Sequence, residues 1–424
     1  MIQPVSWQSA LLLCLIPLGL LGCAQERPIY YQISSKYTVR DPQFARTVGN
    51  LLGPSLIPGN HVTTLINGDQ IFPAMLEAMR AAQKSITFET YVYWKGTIGQ
   101  EFANVLADRA RKGVKVHVLF DWFGGGKIDK DYIKQMKEAG AEVKEYHAFH
   151  IYDIDTWHNL DHRTHRKILV VDGVIGFTGG VGIADEWRGN AESPNHWRDN
   201  HYLVEGPVVS QLQAAFCDNW MQTTGHVLQG DIYFPPLPNR GEMLAQVFRS
   251  SATGGSENME LLFLLSIAGA GQNIRMINAY FVPDSLTRKR MVEARKRGVK
   301  IQIVVPGKHI DEQVVRNASR AHWGELLKEG VEIYEFQPTM IHAKLTIVDD
   351  YWVTLGSSNL DNRSFRINDE ANLNVMDEKF AAEQIGVFDK DLKRSKRITY
   401  EMWDHRPLGE KINNALSTLV EWEI

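Results

Sequence analysis

The pattern His-x-Lys-x4-Asp occurs twice in this 424-residue chain. His165, Lys167 and Asp172 lie in HRTHRKILVVDGVIGFTGG, and His342, Lys344 and Asp349 lie in MIHAKLTIVDDYWVTLGSSN. A glycine follows each histidine at the same interval, Gly179 and Gly356. On a strand, residues two apart share a face, so each histidine points with its lysine while Arg166 and Ala343 point away. An imidazole beside an ammonium is a site for an anion, and two such sites in one chain could share one substrate.

The surrounding segments explain how such residues are held. ILVVDG and LTIVDD read as apolar strands ending in turn residues, and VIGFT and WVTLG as the returning strands, so each motif is a hairpin. Upstream of the first motif, a helical pattern in IFPAMLEAMRAAQK precedes a strand at 85–94, a helix at 98–113 closed by Gly113, and a strand at 114–120. Upstream of the second, 274–283, 285–298 and 299–307 repeat the strand, helix and strand. Part of the echo is literal: ARKGVKV at 110–116 against RKRGVKI at 295–301. A β-α-β order signals a parallel sheet, and a long repeat present twice means two copies of one unit. The expected division is a segment at 1–23, a linker at 24–60, a first repeat at 61–235 and a second at 236–424, joined at PPLPNRG.

Composition narrows the class. With 44% hydrophobic and 23% charged residues the chain has the makeup of a folded body. A formal charge of -4 weighs against a dedicated nucleic-acid binder, so no nucleic-acid partner is expected. The apolar run ALLLCLIPLGLLGC is shorter than the ~20 residues that span a bilayer and reads as a signal-peptide core. Leu20-Leu21-Gly22-Cys23 resembles the bacterial lipobox, which would lipidate Cys23, although MIQPVSWQS supplies no Lys or Arg ahead of it. An uncleaved membrane anchor and an accidental apolar start are the alternatives. Cys217 is the one cysteine beyond this segment, so the body has no internal disulfide.

The two motifs resemble the paired HKD motifs of the phospholipase D superfamily over roughly residues 60–400. LINGDQIFPAMLEAMRAA, FETYVY, RTHRKILVVDG, WRDNHYLVEGPVV, AYFVPD and GSSNLDNRSFRINDEANL are similar to the bacterial cardiolipin synthases within it. That resemblance implies an α/β fold: two repeated α/β/α sandwich halves packed as a pseudo-dimer with one shared cleft. It implies a phosphatidyltransferase in which one histidine attacks phosphorus to give a phosphohistidine and the other serves as acid and base; His165 is taken as the nucleophile and His342 as the acid and base, and because the two motifs are almost alike the reverse assignment stays open. Lys167 and Lys344 would clamp the phosphoryl oxygens. Asp199 would orient His165 and Glu370 would orient His342, while Asp172 and Asp349 hold the turns. Ser357 and Asn359 would bond the phosphate or the lysines, whereas the first copy has Gly180 and Gly182 at the equivalent places.

The implied donor is phosphatidylglycerol and the acceptor a second phospholipid hydroxyl, with no cofactor. A hydrolytic phospholipase D, a nuclease and an inactive lipid-binding lipoprotein are the rival readings. The implied location is a membrane of the bacterial envelope, facing the periplasm if Cys23 is processed; oligomeric state is left open. His147, His150, His158, His162 and His165 lie close enough to suggest a metal site, but cysteine ligands are absent and His342 has no such neighbours, so no metal is expected. Trp94, Trp122 and Trp157 suit either an acyl-chain groove or core packing.

Overall fold

The computed structural model describes residues 31–148, 161–251 and 258–423. The apolar run with Cys23 lies outside the described residues, as do His150, Trp157 and His158. Residues 33–424 make one compact unit.

Among the described residues, fifteen strands form one mixed sheet. In the first half they are β1 (Ile57–Ile66), β2 (Ser85–Thr90), β3 (Lys115–Asp121), β4 (Glu142–Tyr146), β5 (Ile168–Val171), β6 (Ile175–Gly179) and β7 (Asn200–Glu205). In the second half they are β8 (Met243–Ser250), β9 (Asn273–Asn278), β10 (Lys300–Pro306), β11 (Glu332–Phe336), β12 (Lys344–Val348), β13 (Trp352–Gly356), β14 (Glu370–Met376) and β15 (Ser395–Ile398). Their order across the sheet is β15-β11-β10-β9-β12-β13-β14-β8-β1-β7-β6-β5-β2-β3-β4. Read outward from the central β8/β1 pair, the two halves have the same order, and β15 is an addition at one edge.

The β-α-β segments form as the patterning implies. β2 runs parallel to β3, and β9 parallel to β10. The connecting helices, Thr97–Arg111 and Ser285–Lys296, are followed by Gly113 and Gly298 with φ of 88° and 94°, the left-handed region that glycine enters without a Cβ clash. Each motif is a hairpin, β5 with β6 and β12 with β13, both antiparallel.

Both faces of the sheet are covered, and alternate residues of one strand show it. Ile168 and Val170 of β5 enter a central core with the helix Val209–Thr224, whereas Leu169 and Val171 enter the outer core of the first half. In the second half Val304 faces the central core and Ile301, Ile303 and Val305 the outer one. Strands buried on both faces explain why these segments read as continuous apolar runs.

The stretch expected as a linker is structured in its second part. Pro42–Leu51 is a helix capped by the Asp41 carboxylate, and its Phe44 and Val48 enter the outer core of the second half. The Phe44 ring meets Trp352 edge-on at 5.1 Å. β1 begins at Ile57, inside the same stretch, and pairs antiparallel with β8 to join the two half-sheets. Glycine and proline punctuation suggested a loop there, but Phe44 and Val48, one turn apart, form a buried face.

Candidate active site

His165 and His342 sit just before β5 and β12, where strand pairing has not yet begun. Their backbones are held instead by the opposite half. His165 N–H donates to the Asp369 carbonyl at 2.9 Å, and Thr164 forms a parallel bridge with Asp369. His342 N–H donates to the Arg198 carbonyl at 2.7 Å, and Ile341 bridges Arg198. The next residue along each facing segment is Glu370 or Asp199, so each carboxylate arrives beside the histidine of the other half.

This reverses the expected pairing. His165 Nδ1 donates to Glu370 (2.9 and 3.0 Å to its two oxygens), and His342 Nδ1 donates to Asp199 Oδ2 (2.9 Å). The sequence shows which carboxylates stand near each motif along the chain. Only the docking of one half-sheet on the other shows which stands near in space. With Nδ1 carrying the proton toward a carboxylate, Nε2 of each ring is left as the basic nitrogen.

The lysines lie as the alternation requires. Lys167 Nζ donates to the His165 carbonyl at 2.7 Å, and Lys344 Nζ to the His342 carbonyl at 2.6 Å. Arg166 points the other way and is wholly buried, donating to the carbonyls of Ala215, Ser250 and Glu370 and pairing with Asp218. Ala343 enters the central core.

Asp172 and Asp349 are distant from this chemistry and equivalent to each other. Asp172 accepts from the backbone N–H groups of Gln83, Lys84 and Ser85, and Asp349 from those of Gly271, Gln272 and Asn273. Each fastens its hairpin turn to the start of the neighbouring strand, β2 or β9. Ser357 bonds neither a lysine nor an open site: its hydroxyl donates to Glu370 Oε2 at 2.5 Å and accepts from Ala371 N–H. Ser364, which the sequence did not single out, donates to the other oxygen of Glu370 at 2.7 Å. Asn359 N–H donates to the Ser364 hydroxyl, which links the Gly-Ser-x-Asn turn to the same carboxylate.

The first half substitutes different groups around Asp199. Trp187 Nε1 donates to Asp199 Oδ2 at 2.9 Å, and Asn200 N–H to Oδ1 at 2.8 Å. A side chain at Gly180, the counterpart of Ser357, would clash with that carboxylate. Glycine at this position makes room for the shorter, differently braced acid.

Aromatic rings line the pair. Tyr91 lies edge-on to His165 at 5.3 Å, and Trp187, Trp197 and Tyr280 contact His342 at 5.3, 5.7 and 6.4 Å. Trp94 and Trp122 are not among these rings; Trp94 Nε1 instead donates to the Gly124 carbonyl. Tyr91, Trp197 and Tyr280 fall in FETYVY, WRDN and AYFVPD, so their nearness to the site was open to inference. Trp187, in ADEW, carried no such signal.

Burial sets the charge state. It presses His165 down to about 4 against the opposing pull of Glu370, and it lowers His342 with help from Lys344. Burial and mutual repulsion bring Lys167 down to about 7, and burial brings Lys344 to about 8. Burial opposes ionisation of Glu370, but His165, Lys167 and the Ser357 hydroxyl outweigh it and hold the carboxyl at about 2. Asp199 is likewise buried yet lowered, by its bond to His342, by Lys344 and by Trp187. Near neutral pH the site therefore holds two neutral imidazoles on two carboxylates, with lysines poised to charge fully when an anion arrives. Among the described residues no group of three or more His, Cys, Asp or Glu side chains is placed to hold a metal.

Residues 75–220 and 264–392 match the family described as cardiolipin synthase, phospholipase D-like domain. The chain belongs to this family. Curated cardiolipin synthases agree along most of its length: that of Alkalihalophilus pseudofirmus is 30% identical over 84% of this chain and 71% of its own. The enzyme of Halalkalibacterium halodurans is 33% identical over 81% and 68%, and cardiolipin synthase A of Pseudomonas fluorescens 32% identical over 86% and 76%. The fold is also that of Haemophilus influenzae phosphatidylserine synthase, whose crystal structure superposes with a TM-score of 0.68 at 14% identity, covering 90% of this chain and all of the other. Both family segments contain one His-x-Lys-x4-Asp motif each, which agrees with the two halves seen in the sheet.

Proposed function

We propose that the protein is a phosphatidyltransferase that moves a phosphatidyl group from phosphatidylglycerol to the hydroxyl of a second phospholipid, forming cardiolipin. The observation that carries this reading is the crossed pair, in which each imidazole is oriented through Nδ1 by a buried carboxylate of the other half, keeps Nε2 as its basic nitrogen and has a lysine beside it, Lys344 Nζ lying 2.9 Å from His342 Nε2. Family membership supports the same conclusion.

In this mechanism neutral His165 attacks phosphorus through Nε2, forming a P–N bond as the P–O bond to glycerol breaks. The negative phosphodiester raises the affinity of His342 for a proton, which His342 delivers to the departing glycerol oxygen. Lys167 and Lys344 bind the non-bridging oxygens and offset the charge that accumulates on them. Glu370 stabilises the positive charge that develops on His165. In the second half-reaction, His342, now neutral, takes the proton of the acceptor hydroxyl. Its oxygen attacks phosphorus, the P–N bond breaks, and a new phosphodiester forms. One phosphodiester replaces another, so no nucleotide is consumed. Asp172 and Asp349 act on the shape of the hairpins and not on protons.

Water is a competing acceptor for the same intermediate, and a hydrolytic phospholipase D would use identical residues. Family membership favours transfer. A bacterial membrane is the site of action in this reading, and the mode of attachment rests on residues 1–30; among the described residues no helix is long and apolar enough to cross a bilayer.

The test is incubation of the purified full-length protein with labelled phosphatidylglycerol in mixed micelles, beside His165→Ala and His342→Ala. Cardiolipin and free glycerol, absent from both variants, are the expected products. Phosphatidic acid alone would make water the acceptor and replace this reading with hydrolysis.

A further inference from the structure

The histidine end of the sheet carries apolar side chains that the fold does not bury. β2 and β9 run toward this end, because the residues that follow them, Tyr91 and Tyr280, lie against His165 and His342. β3 and β10 run parallel to them, so Phe123, just past β3, and Val314, past β10, stand at the same end. Phe123 is 63% exposed, with the Arg163 guanidinium over its ring and the Trp122 ring 6.5 Å away.

The C-terminal segment extends this rim. The helix Leu408–Ser417 packs on the helix Gln313–Ala321, which begins beside Val314. The turn Thr418–Glu423 packs on Asn362–Arg366, the short helix between Gly356 and Glu370. Leu408, Ile412 and Leu416 recur one turn apart, Leu419 and Val420 follow, and all five are between 42% and 73% exposed. Such a stripe on water is costly unless something covers it.

The charges on this segment are sorted. Glu410 turns inward to Arg320 at 2.7 Å, and Glu421 turns inward to His322 at 2.6 Å. Among residues 408–421 only Lys411 is left as a charged side chain on the outward face, where it is exposed. An apolar stripe with its acids withdrawn and a cation left outward is complementary to an anionic lipid surface.

We infer that the outward face of Leu408–Val420, with Phe123 and Val314, seats the catalytic end on an anionic bilayer so that a phospholipid headgroup reaches the histidines without leaving the membrane. This inference rests on the phosphatidyltransferase reading. The occupant is the lipid surface itself; a second copy of the chain is the alternative that the test separates.

The experiment compares full-length wild type, Leu416→Glu and Leu416→Lys on two forms of phosphatidylglycerol. One is a long-chain lipid in vesicles, and the other a short-chain lipid dispersed below its critical micelle concentration. Leu416 is solvent-exposed, so neither substitution should move the urea unfolding midpoint. On vesicles Leu416→Glu should lose about tenfold in rate, while Leu416→Lys keeps most of it by attraction to the anionic surface. On the dispersed lipid all three should match. Equal loss in Leu416→Glu and Leu416→Lys on both substrates, or wild-type rates throughout, would overturn the inference and leave the transferase reading intact. A wild-type dimer in sedimentation that Leu416→Glu dissociates would also overturn it, in favour of a second copy. Absence of cardiolipin from wild type on both substrates would instead sink the transferase reading, and this inference with it.

Discussion

Replacing Glu370 with Gln keeps the side chain's shape and removes its charge, and the crossed geometry says which histidine suffers. In the native site the carboxylate accepts from His165 Nδ1, Ser357 and Ser364, all donors, which an amide cannot satisfy without turning its own NH2 group toward one of them. Glu370 is held at about 2 against 4.5 for an ordinary glutamate, even though burial alone would raise it. That difference corresponds to about 3 kcal/mol in favour of the charged form. If most of it serves the positive charge that grows on His165 during attack, kcat/KM should fall by about a hundredfold or more. The assay has two parts: single-turnover formation of the phosphoenzyme from labelled phosphatidylglycerol, and the imidazole Nδ1–H signals of histidine-labelled protein by NMR. Glu370→Gln should slow phosphoenzyme formation and move the His165 signal while leaving that of His342. Asp199→Asn should do the converse to His342. If Asp199→Asn perturbs His165, or if Glu370→Gln reacts at the wild-type rate, the crossed pairing and the mechanism built on it are wrong.

Three further outcomes follow from the same contacts. Gly180→Ser, which imports the residue found in the second half, should push Asp199 off His342 and lower kcat at least tenfold, because a Cβ there collides with the carboxylate; activity equal to wild type would show that Asp199 has slack. Asp349→Ala strands three backbone N–H groups at a buried turn and should cost about 2–4 kcal/mol in urea unfolding, whereas Asp172→Ala, at a more exposed turn, should cost less. Since burial brings Lys167 down to about 7 and Lys344 to about 8, their positive charge is present below those values and is lost as pH rises through them. kcat/KM should therefore decline from about pH 7–8, with kcat holding to higher pH because bound phosphate keeps the lysines protonated; a kcat/KM profile flat to pH 10 would contradict this.

Much of the architecture is legible in the chain because it depends on local periodicity. The apolar runs at β5 and β12, the turn residues behind them, and the glycines after the helices each specify their element with little help from the rest. The helix Pro42–Leu51 escaped because its short apolar face lies among glycines and prolines and becomes meaningful only against Trp352. Likewise Ser357 looked like a phosphate ligand by motif, and Ser364 looked like nothing, until both were found on Glu370. A hydroxyl has no directional signature in a sequence, and its partner is whatever packing brings within 3 Å.

The sequence by itself determined the chemical groups and their local presentation: two histidines, two lysines sharing their faces, two aspartates at the turns, and the repeat that makes them a pair. The tertiary structure decided who serves whom. Asp199 follows the first motif in the chain and Glu370 follows the second, yet the bridges Thr164–Asp369 and Arg198–Ile341 deliver each carboxylate across the seam between the halves. Chain proximity carries information only along one half-sheet. The distances that hold a tautomer in place, 2.9 Å at both histidines, are set where β1 meets β8 and the two halves dock.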